Sequence, residues 1–157
     1  MALEAGKPAP EFDLPTAGGG RARLVGYRGK PLVVYFYPRD DTPGCTKEAQ
    51  GFAEAFPEFE AAGVALVGIS KDSAVSHDKF KAKYDLPFTL ASDEHGSVVE
   101  AYGAWVEKSM YGRKYMGIDR STFLVDGEGK VRKVWRNVKV PGHVAEVLAA
   151  ARALEAS

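Results

Sequence analysis

Four short apolar runs along the chain predict the strands of one sheet, because they are rich in β-branched and aromatic residues. They span residues 32–37, 64–70, 121–126 and 131–136. The first two runs are almost continuously apolar, which is typical of strands that are covered on both faces. We therefore expect a central sheet with other elements packed on each side of it.

Four stretches with helical periodicity lie between and after these runs. They span residues 43 to about 62, about 73 to 84, about 96 to 102 and about 142 to 154. In the first stretch Phe52, Phe56 and Phe59 follow one another at spacings of four and three, so they predict a helix face turned toward the core. Pro57 lies in the same stretch, and we expect it to break or kink the helix after its third turn.

Two glycine-rich segments predict tight turns. Gly18, Gly19 and Gly20 lie between short polar and apolar segments and indicate an N-terminal β-hairpin. Residues 127–130 separate the last two apolar runs in the same way. The order of strands, helices and hairpins predicts one α/β domain over residues 1–157, with a thioredoxin-like fold and a mixed central sheet flanked by helices.

Composition and charge narrow the classes of function. The chain has 157 residues, of which 45% are hydrophobic and 27% charged, as in an ordinary globular domain. Its 21 Lys and Arg balance 21 Asp and Glu, so no net charge draws it to nucleic acid or anionic lipid. The longest apolar run is far shorter than the ~20 residues that cross a bilayer. The N-terminus has neither the basic start nor the apolar stretch of a secretory signal, so we expect a cytoplasmic protein.

Cys45 is the single cysteine of the sequence, which excludes an internal disulfide, a Cys-x-x-Cys dithiol and a multi-cysteine zinc site. It lies in a polar segment that opens the longest helix. Thr42 is the predicted N-cap and Pro43 the first helical residue, which places Cys45 at the third position. There the helix dipole and the unpaired amide groups of Gly44 and Cys45 favour a thiolate over a thiol. The pattern predicts a reactive cysteine.

Other interpretations of these residues stay open at this level. A lone cysteine is often a small buried hydrophobic residue, although the polar residues on either side disfavour this for Cys45. His77, His95 and His143 lack the spacing of a metal motif, so neither a metal site nor a cofactor is expected. Cys45 and His143 would suit a Cys–His hydrolase pair, but no local pattern supports it.

The segment around Cys45 resembles a known signature. Pro38, Thr42 and Cys45 match the Pro-x-x-x-Thr-x-x-Cys pattern of peroxiredoxins, and TPGCTKEA is similar to the segment of the bacterioferritin comigratory protein or peroxiredoxin Q group. Further blocks that resemble this group follow along nearly the whole chain: VGISKDS, KYDLPF, KSMYG, RSTFLVD and VKVPGH. On these matches the chain is identified as a member of the peroxiredoxins.

The resemblance implies a thiol-dependent peroxidase that acts on hydrogen peroxide and small organic hydroperoxides. Cys45 is then the nucleophile that attacks a peroxide oxygen, releases water or an alcohol and becomes a sulfenic acid. By the same resemblance Thr42 and Arg120 orient the peroxide and favour the thiolate, and Pro38 shields the sulfur from bulk water. Glu48 matches a position that helps to orient this network.

The chain departs from the group because it lacks a resolving cysteine. Many members carry one five residues after the nucleophile or on the next long helix, but Gln50 occupies the first position and residues 73–84 contain none. The sulfenic acid is then expected to be reduced by an external thiol, either a thioredoxin-like or glutaredoxin-like protein or a small molecule. The FAE segment that begins at Phe52 also differs from the more usual Phe-Arg-Asp.

We expect the protein to be a monomer, with a dimer as the alternative.

Two other functions stay open from the sequence. Cys45 would also suit a stoichiometric peroxide sensor that passes its oxidation to a partner, and the scaffold would suit a holdase-like interaction protein. Peroxide consumption separates the enzyme from the sensor, because a sensor stops after roughly one equivalent per chain. A holdase would keep its activity after Cys45→Ser.

Overall fold

The computed structural model describes residues 3–156, which form nine strands and four α-helices. The strands are β1 Asp13–Pro15, β2 Arg21–Arg23, β3 Leu32–Phe36, β4 Ala65–Ser70, β5 Thr89–Ser92, β6 Trp105–Met110, β7 Arg113–Ile118, β8 Ser121–Val125 and β9 Val131–Trp135. The helices are α1 Pro43–Ala61, α2 Ala74–Tyr84, α3 Ser97–Ala101 and α4 His143–Ala156, and a 3-10 helix covers Leu24–Tyr27.

β3 lies at the centre of a five-stranded sheet with the order β5, β4, β3, β8, β9. β3, β4 and β5 run parallel to one another, whereas β8 is antiparallel to β3 and β9 is antiparallel to β8. The predicted mixed sheet and thioredoxin-like arrangement are therefore confirmed. The register pairs Phe36 at the end of β3 with Ser121 at the start of β8. Residues just before β8 are thereby brought beside the loop that leaves β3.

The side chains of β3 alternate between two hydrophobic layers. Leu32, Val34 and Phe36 pack in a layer that includes residues of the N-terminal segment, the 3-10 helix and α3. Val33 and Tyr35 pack in the opposite layer, with residues of α1, α2 and α4. Both faces of the strand are covered, which explains why its sequence is apolar at every position.

The four predicted helices are confirmed, with ends that differ by no more than about two residues. The expectation that Pro57 breaks the first of them is wrong, since α1 continues to Ala61. The Pro57 side chain is exposed, so its ring meets solvent, and the missing amide removes a single helical hydrogen bond. Phe59 is fully buried and holds the last turn against the core.

The four predicted strands and the N-terminal hairpin of β1 and β2 are also confirmed. The sequence did not predict β5 or the separate two-stranded sheet of β6 and β7. β5 has only four residues, and most of β6 and β7 is exposed, so neither forms an apolar run. Within residues 3–156, no helix has both the length and the apolar character that crossing a membrane requires.

Candidate active site

The loop after β3 and the first turn of α1 hold Pro38, Thr42 and Cys45. α1 begins at Pro43 with Thr42 at the N-cap position, so Cys45 lies third in the helix as predicted. Only 2% of Cys45 is exposed. Its sulfur therefore lies beneath the surface, beside first-turn amides that have no acceptor within the helix.

Arg120 connects the cysteine to the rest of the site. It lies between β7 and β8, where the pairing of Phe36 with Ser121 places it beside the start of α1. Its Nη2 donates to Cys45 Sγ at 3.4 Å, and its Nη1 donates to Glu48 Oε1 at 2.7 Å. The guanidinium therefore lies within hydrogen-bond distance of both the sulfur and a buried carboxyl group. The structure thus brings together the cysteine, the arginine and the glutamate that the resemblance implied.

Glu48 follows Cys45 by three residues and so lies on the same face of α1. The residue is completely buried, and its Oε2 has no hydrogen-bond partner, although Oε1 is bound by Arg120. Burial raises the pKa of Glu48 to about 7, and the charge and hydrogen bond of Arg120 oppose this rise only in part. The carboxyl group is therefore partly protonated near neutral pH.

The hydroxyl of Thr42 is not used as a helix cap. Thr42 occupies the N-cap position, but its Oγ1 accepts no hydrogen bond from α1. It donates instead to the carbonyl oxygen of Arg39 at 2.9 Å. The predicted N-cap position of Thr42 is therefore confirmed, although its hydroxyl turns back onto the loop and makes no hydrogen bond to the helix.

Gly44 lies against Arg120, whereas the sequence indicated only that its amide is unpaired. A Cβ atom at Gly44 would lie 3.1 Å from Arg120 Nη2. This is the same guanidinium nitrogen that contacts Cys45 Sγ. A side chain at this position would therefore press on the contact between the cation and the sulfur.

A surface cleft of about 460 Å³ opens over Arg120. Half-buried Pro38 lines one part of it, and Lys108 and Tyr115 of the β6–β7 hairpin line another. Burial lowers the pKa of Lys108; the charge of Asp119 opposes this shift and that of Arg120 adds to it. The cleft is therefore a path to the guanidinium that is lined by Lys108 and by the carboxylates of Glu107 and Asp119.

Asp40 ties the loop after β3 to α2, and sequence reasoning did not assign it. Its Oδ2 lies 2.7 Å from His77 Nδ1 and also accepts from Ser76 Oγ at 2.8 Å. Its Oδ1 accepts from the Tyr37 hydroxyl at 2.6 Å. His77 Nε2 lies 2.9 Å from the carbonyl oxygen of Ala91, which can only accept. Both ring nitrogens of His77 therefore lie within hydrogen-bond distance of oxygen atoms, which fixes the ring between α2, β5 and the loop after β3.

Asp40, Asp72 and His77 also offer three potential metal-ligand atoms within 4.8 Å of one another. These atoms already take part in hydrogen bonds. Asp72 Oδ2 accepts from the Asp40 amide at 2.8 Å and from the Ser70 hydroxyl at 2.6 Å. The cluster is therefore a hydrogen-bond network that fixes the loop, as its partners account for the positions of all three side chains.

Asp41 forms a second link between this loop and α2. Its backbone is left-handed, with φ of 56°. Its carboxylate accepts from Lys83 Nζ at 2.7 Å and from the Tyr84 hydroxyl at 2.6 Å, and these hydrogen bonds lower the pKa of Asp41. The two consecutive aspartates thus attach the loop before Cys45 to both ends of α2.

The remaining histidines do not join the cysteine. His143 Nε2 lies 2.8 Å from Thr122 Oγ1, and burial lowers the pKa of His143. His95 is exposed. The side-chain hydrogen bond that Cys45 receives comes from Arg120. The Cys–His hydrolase interpretation therefore gains no supporting contact within residues 3–156.

The sequence is similar to known proteins over nearly its full length. The model of the AhpC/TSA family matches residues 5–134. A bcp protein of Coxiella burnetii is 53% identical over 148 residues, which cover 94% of this chain and 98% of that protein. The peroxiredoxin Bcp of Bacillus subtilis is 46% identical over 148 residues, which cover 94% of each.

The fold is similar to that of a solved structure as well. This is the Xanthomonas campestris bacterioferritin comigratory protein, whose trapped intermediate and ligand complexes concern its alkyl peroxide reduction activity. The TM-score is 0.91 at 43% identity, and the match covers 97% of this chain and 99% of the other. Sequence and fold therefore point to the same group of proteins.

Proposed function

Since the chain belongs to the AhpC/TSA family and is a thiol-dependent peroxidase of the Bcp and peroxiredoxin Q type, we propose that Cys45 is the nucleophile of its reaction. One observation carries this proposal: the guanidinium of Arg120 contacts both Cys45 Sγ and Glu48 on the first turns of α1. The proposed substrates are hydrogen peroxide and small organic hydroperoxides. The alkyl peroxide activity of the Xanthomonas campestris relative supports the second class.

In the proposed reaction the Cys45 thiolate attacks one oxygen of the peroxide. A sulfur–oxygen bond forms, the oxygen–oxygen bond breaks, and the second oxygen takes up a proton and leaves as water or an alcohol. The sulfur is oxidised by two electrons and the peroxide is reduced by two. Cys45 is left as a sulfenic acid.

Arg120 carries the main electrostatic role in this proposal. A guanidinium has five N–H donors, so it can bind peroxide oxygens while it keeps its hydrogen bond to Glu48. Preorganised donors of this kind act where negative charge moves from sulfur to the leaving oxygen. Glu48 then holds the plane of the guanidinium and is a positioning residue.

Thr42 and Pro38 complete the proposed site. The half-buried hydroxyl of Thr42 lies one turn before Cys45, where its remaining lone pairs can accept from a hydroperoxide. Pro38 lines the cleft over Arg120 and limits the access of bulk water. The first-turn amides of α1 offer further donors to a bound oxygen.

The sulfenic acid must be reduced from outside, because Cys45 has no second cysteine in its own chain. Gln50 stands where other members carry a resolving cysteine, and it is exposed. An external thiol condenses with the sulfenic acid to a mixed disulfide and water, and a second thiol then releases Cys45. We propose a thioredoxin-like or glutaredoxin-like protein or a small thiol for this step.

A free cysteine of this kind suits the reducing cytoplasm, which is the compartment that we propose.

We further propose that the working form is a monomer, with a dimer as the alternative. The named groups of the site, Cys45, Thr42, Arg120, Pro38 and Glu48, all come from one chain, so the chemistry requires no second copy. Light scattering at the protein concentration of the activity assay tests this proposal.

A turnover assay tests the proposed function. With dithiothreitol in excess, the wild-type chain is expected to consume many equivalents of hydrogen peroxide, whereas Cys45→Ser consumes none. Gln50→Ala is the matched control on the same helix and is expected to behave as wild type. A wild-type chain that stops after roughly one equivalent would be the sensor. A Cys45→Ser chain that still consumes peroxide would exclude Cys45 as the nucleophile.

A further inference from the structure

The β6–β7 hairpin carries a concentration of exposed apolar side chains. Met110, Tyr111, Tyr115 and Met116 are 44–98% exposed, and they are four of the six large hydrophobic residues that are exposed in the described part of the chain. Met110 and Tyr115 lie on one face of the hairpin with Tyr111 at its turn, whereas Met116 pairs with Glu107 on the other face. Single exposed hydrophobic residues are ordinary, but several on one face mark a candidate interaction surface. The hairpin is therefore a candidate for contact with another molecule.

The turn of this hairpin presents an aromatic ring at a conformational cost. Tyr111 and Gly112 connect the paired residues Met110 and Arg113, and both have positive φ, 52° and 78°. Such a two-residue turn favours Asn-Gly, because a bulky side chain at positive φ is strained. The Tyr111 residue is 98% exposed, so packing within the chain does not offset this strain. Strain at an exposed position of this kind indicates a function outside the fold.

The strand register shows which hairpin side chains continue the wall of the cleft over Arg120. Lys108 pairs with Tyr115 and Met110 pairs with Arg113, and residues that pair directly lie on the same face. Lys108 and Tyr115 line the cleft. We call these four residues, together with Tyr111 at the turn, the hairpin face. It carries two cations and no carboxylate.

We infer that the hairpin face is the docking surface for a thioredoxin-type dithiol protein that reduces Cys45, an inference that rests on the proposed function. Cys45 is only 2% exposed, and a reducing thiol must come within bonding distance of its sulfur, about 2.05 Å in a disulfide. A protein that brings its cysteine to this site through the cleft over Arg120 must cover the rim, to which the hairpin face contributes the apolar side chains of Met110, Tyr111 and Tyr115.

Charge supports a thiolate-bearing partner. The attacking group of a dithiol protein is negatively charged. Lys108 and Arg120 line the cleft together with the carboxylates of Glu107 and Asp119, and Arg113 on the hairpin face adds a further cation, so positive charge is in excess by one along the approach. Complementary charges of this kind raise association rates and set orientation. Tyr and Met side chains supply the apolar contacts that are enriched in protein interfaces.

A second copy of this chain fits the same surface less well. A copy seated on the hairpin face would cover the cleft and bring its own cations against those of Lys108 and Arg113. It would also close the path of the reductant to Cys45. A small thiol, in turn, enters the cleft without any contact with Tyr111, which lies at the tip of the hairpin.

The redox step balances with the partner as the source of two electrons. One partner thiolate attacks the sulfenic sulfur of Cys45, a disulfide bond forms, and the hydroxyl leaves as water with one proton. The second partner thiolate attacks the first partner sulfur. The mixed disulfide breaks, Cys45 leaves as a thiolate, and the partner keeps the disulfide.

Tyr111→Asn tests the docking surface without harming the fold, because Asn suits the left-handed position that Tyr111 occupies. The probe is a purified bacterial thioredoxin with its reductase and NADPH. We expect the rate of Cys45 reduction by thioredoxin to fall by roughly tenfold or more, as for loss of an interface hot spot. We expect the rates of reduction by dithiothreitol and of oxidation by hydrogen peroxide to stay within about twofold of wild type. The thioredoxin rate of the wild type should also fall as salt rises.

Val25→Asn, an exposed apolar residue of the 3-10 helix, is the matched control and should leave all three rates unchanged. The inference is overturned if thioredoxin does not reduce the wild type, if Tyr111→Asn keeps the full thioredoxin rate, or if it slows dithiothreitol equally. It is also overturned if the wild type is a dimer that Tyr111→Asn separates into monomers. Failure of the proposed function looks different, because turnover with dithiothreitol would then be absent as well.

Discussion

Glu48 combines complete burial with an unused hydrogen-bond acceptor. Its Oε1 fixes one end of the Arg120 guanidinium, while Oε2 has no partner. The folded chain therefore holds a proton on Glu48 in a pH range in which the unfolded chain has released it. The carboxyl group that binds the Arg120 guanidinium thus makes the fold less stable as it ionises.

The stability of the protein should depend on pH through Glu48. Its pKa is raised from 4.5 to about 7 in the folded state, so the folded chain binds more protons between these values and stability falls as pH rises through them. Glu48→Gln removes this titrating group. The free energy of unfolding of the variant, minus that of the wild type, should therefore be about 2 kcal/mol larger at about pH 8 than at about pH 5. Urea unfolding of both proteins at the two pH values measures it. An equal difference at both pH values would show that Glu48 titrates normally.

Arg120 should be required for the oxidation step. Arg120→Ala removes the donor that lies 3.4 Å from Cys45 Sγ and is expected to lower the rate of peroxide reduction by ~10²-fold or more. Arg120→Lys keeps the charge but loses the fork that reaches both Cys45 and Glu48, so it should recover only part of the rate. Stopped-flow oxidation with hydrogen peroxide measures all three. Wild-type rates in Arg120→Ala would remove this residue from the site.

The first turn of α1 is shaped by its neighbour across the sheet. Gly44 leaves room for Arg120 Nη2, and this room exists because β8 pairs with β3 in the observed register. The φ of Gly44 is not positive, so the backbone itself would accept alanine. At this position the proposed role of Arg120 favours glycine, whereas helix propensity favours alanine.

Gly44→Ala should separate stability from activity. Alanine in place of a helical glycine adds about 0.5–1 kcal/mol of stability, whereas the new Cβ lies 3.1 Å from Arg120 Nη2 and must displace the guanidinium. We expect an unchanged or higher melting temperature and a rate with hydrogen peroxide that is lower by roughly tenfold. Calorimetry and stopped-flow oxidation on the same sample measure both. A variant as active as wild type would show that Arg120 tolerates the shift.

The link between the loop after β3 and α2 should be a major source of stability. His77→Phe leaves the buried carboxyl group of Asp40 without its hydrogen-bond partner at His77 Nδ1, which should lower the free energy of unfolding by about 1–3 kcal/mol. Because the two residues are in contact, adding Asp40→Asn should cost less than the sum of the two single changes. Urea unfolding of the single and double variants measures this coupling. A His77→Phe variant that costs under about 0.5 kcal/mol would mean that the pair contributes little to stability.

The sequence pattern predicted the long elements well because their buried positions carry apolar residues at a regular spacing. β3 is buried on both faces and apolar throughout, and α1 carries its phenylalanines at helical spacing. β5 has four residues and β6–β7 is largely exposed, so the same pattern could not reveal them. The helix does not end at Pro57 because propensity describes a local cost, whereas the buried ring of Phe59 holds the last turn in place.

The site was predictable in part, for the same physical reason. The position of Cys45 on the first helical turn follows from Thr42 and Pro43, which are local signals. The contact with Arg120 joins residues that lie 75 positions apart and depends on strand register, so it came from the family resemblance. The link between Asp40 and His77 spans 37 positions, and no local pattern marks it.

The molecule as a whole builds the surroundings of Cys45 from distant parts of the chain. β3 ends at the loop that carries Cys45, β8 brings Arg120 to it, and the β6–β7 hairpin forms a wall of the cleft above. Since Cys45 is the single cysteine, it cannot form a disulfide within the chain. Under the proposed function, the fold shields the sulfur and an external thiol reduces it.

Mass spectrometry of the chain after one equivalent of hydrogen peroxide tests the central claim most directly. With dimedone present as a trap for sulfenic acid, the wild type should gain one dimedone adduct on the peptide that contains Cys45, and Arg120→Ala should gain it far more slowly. A wild-type Cys45 that stays unmodified while peroxide is consumed would contradict the claim that this sulfur is the nucleophile.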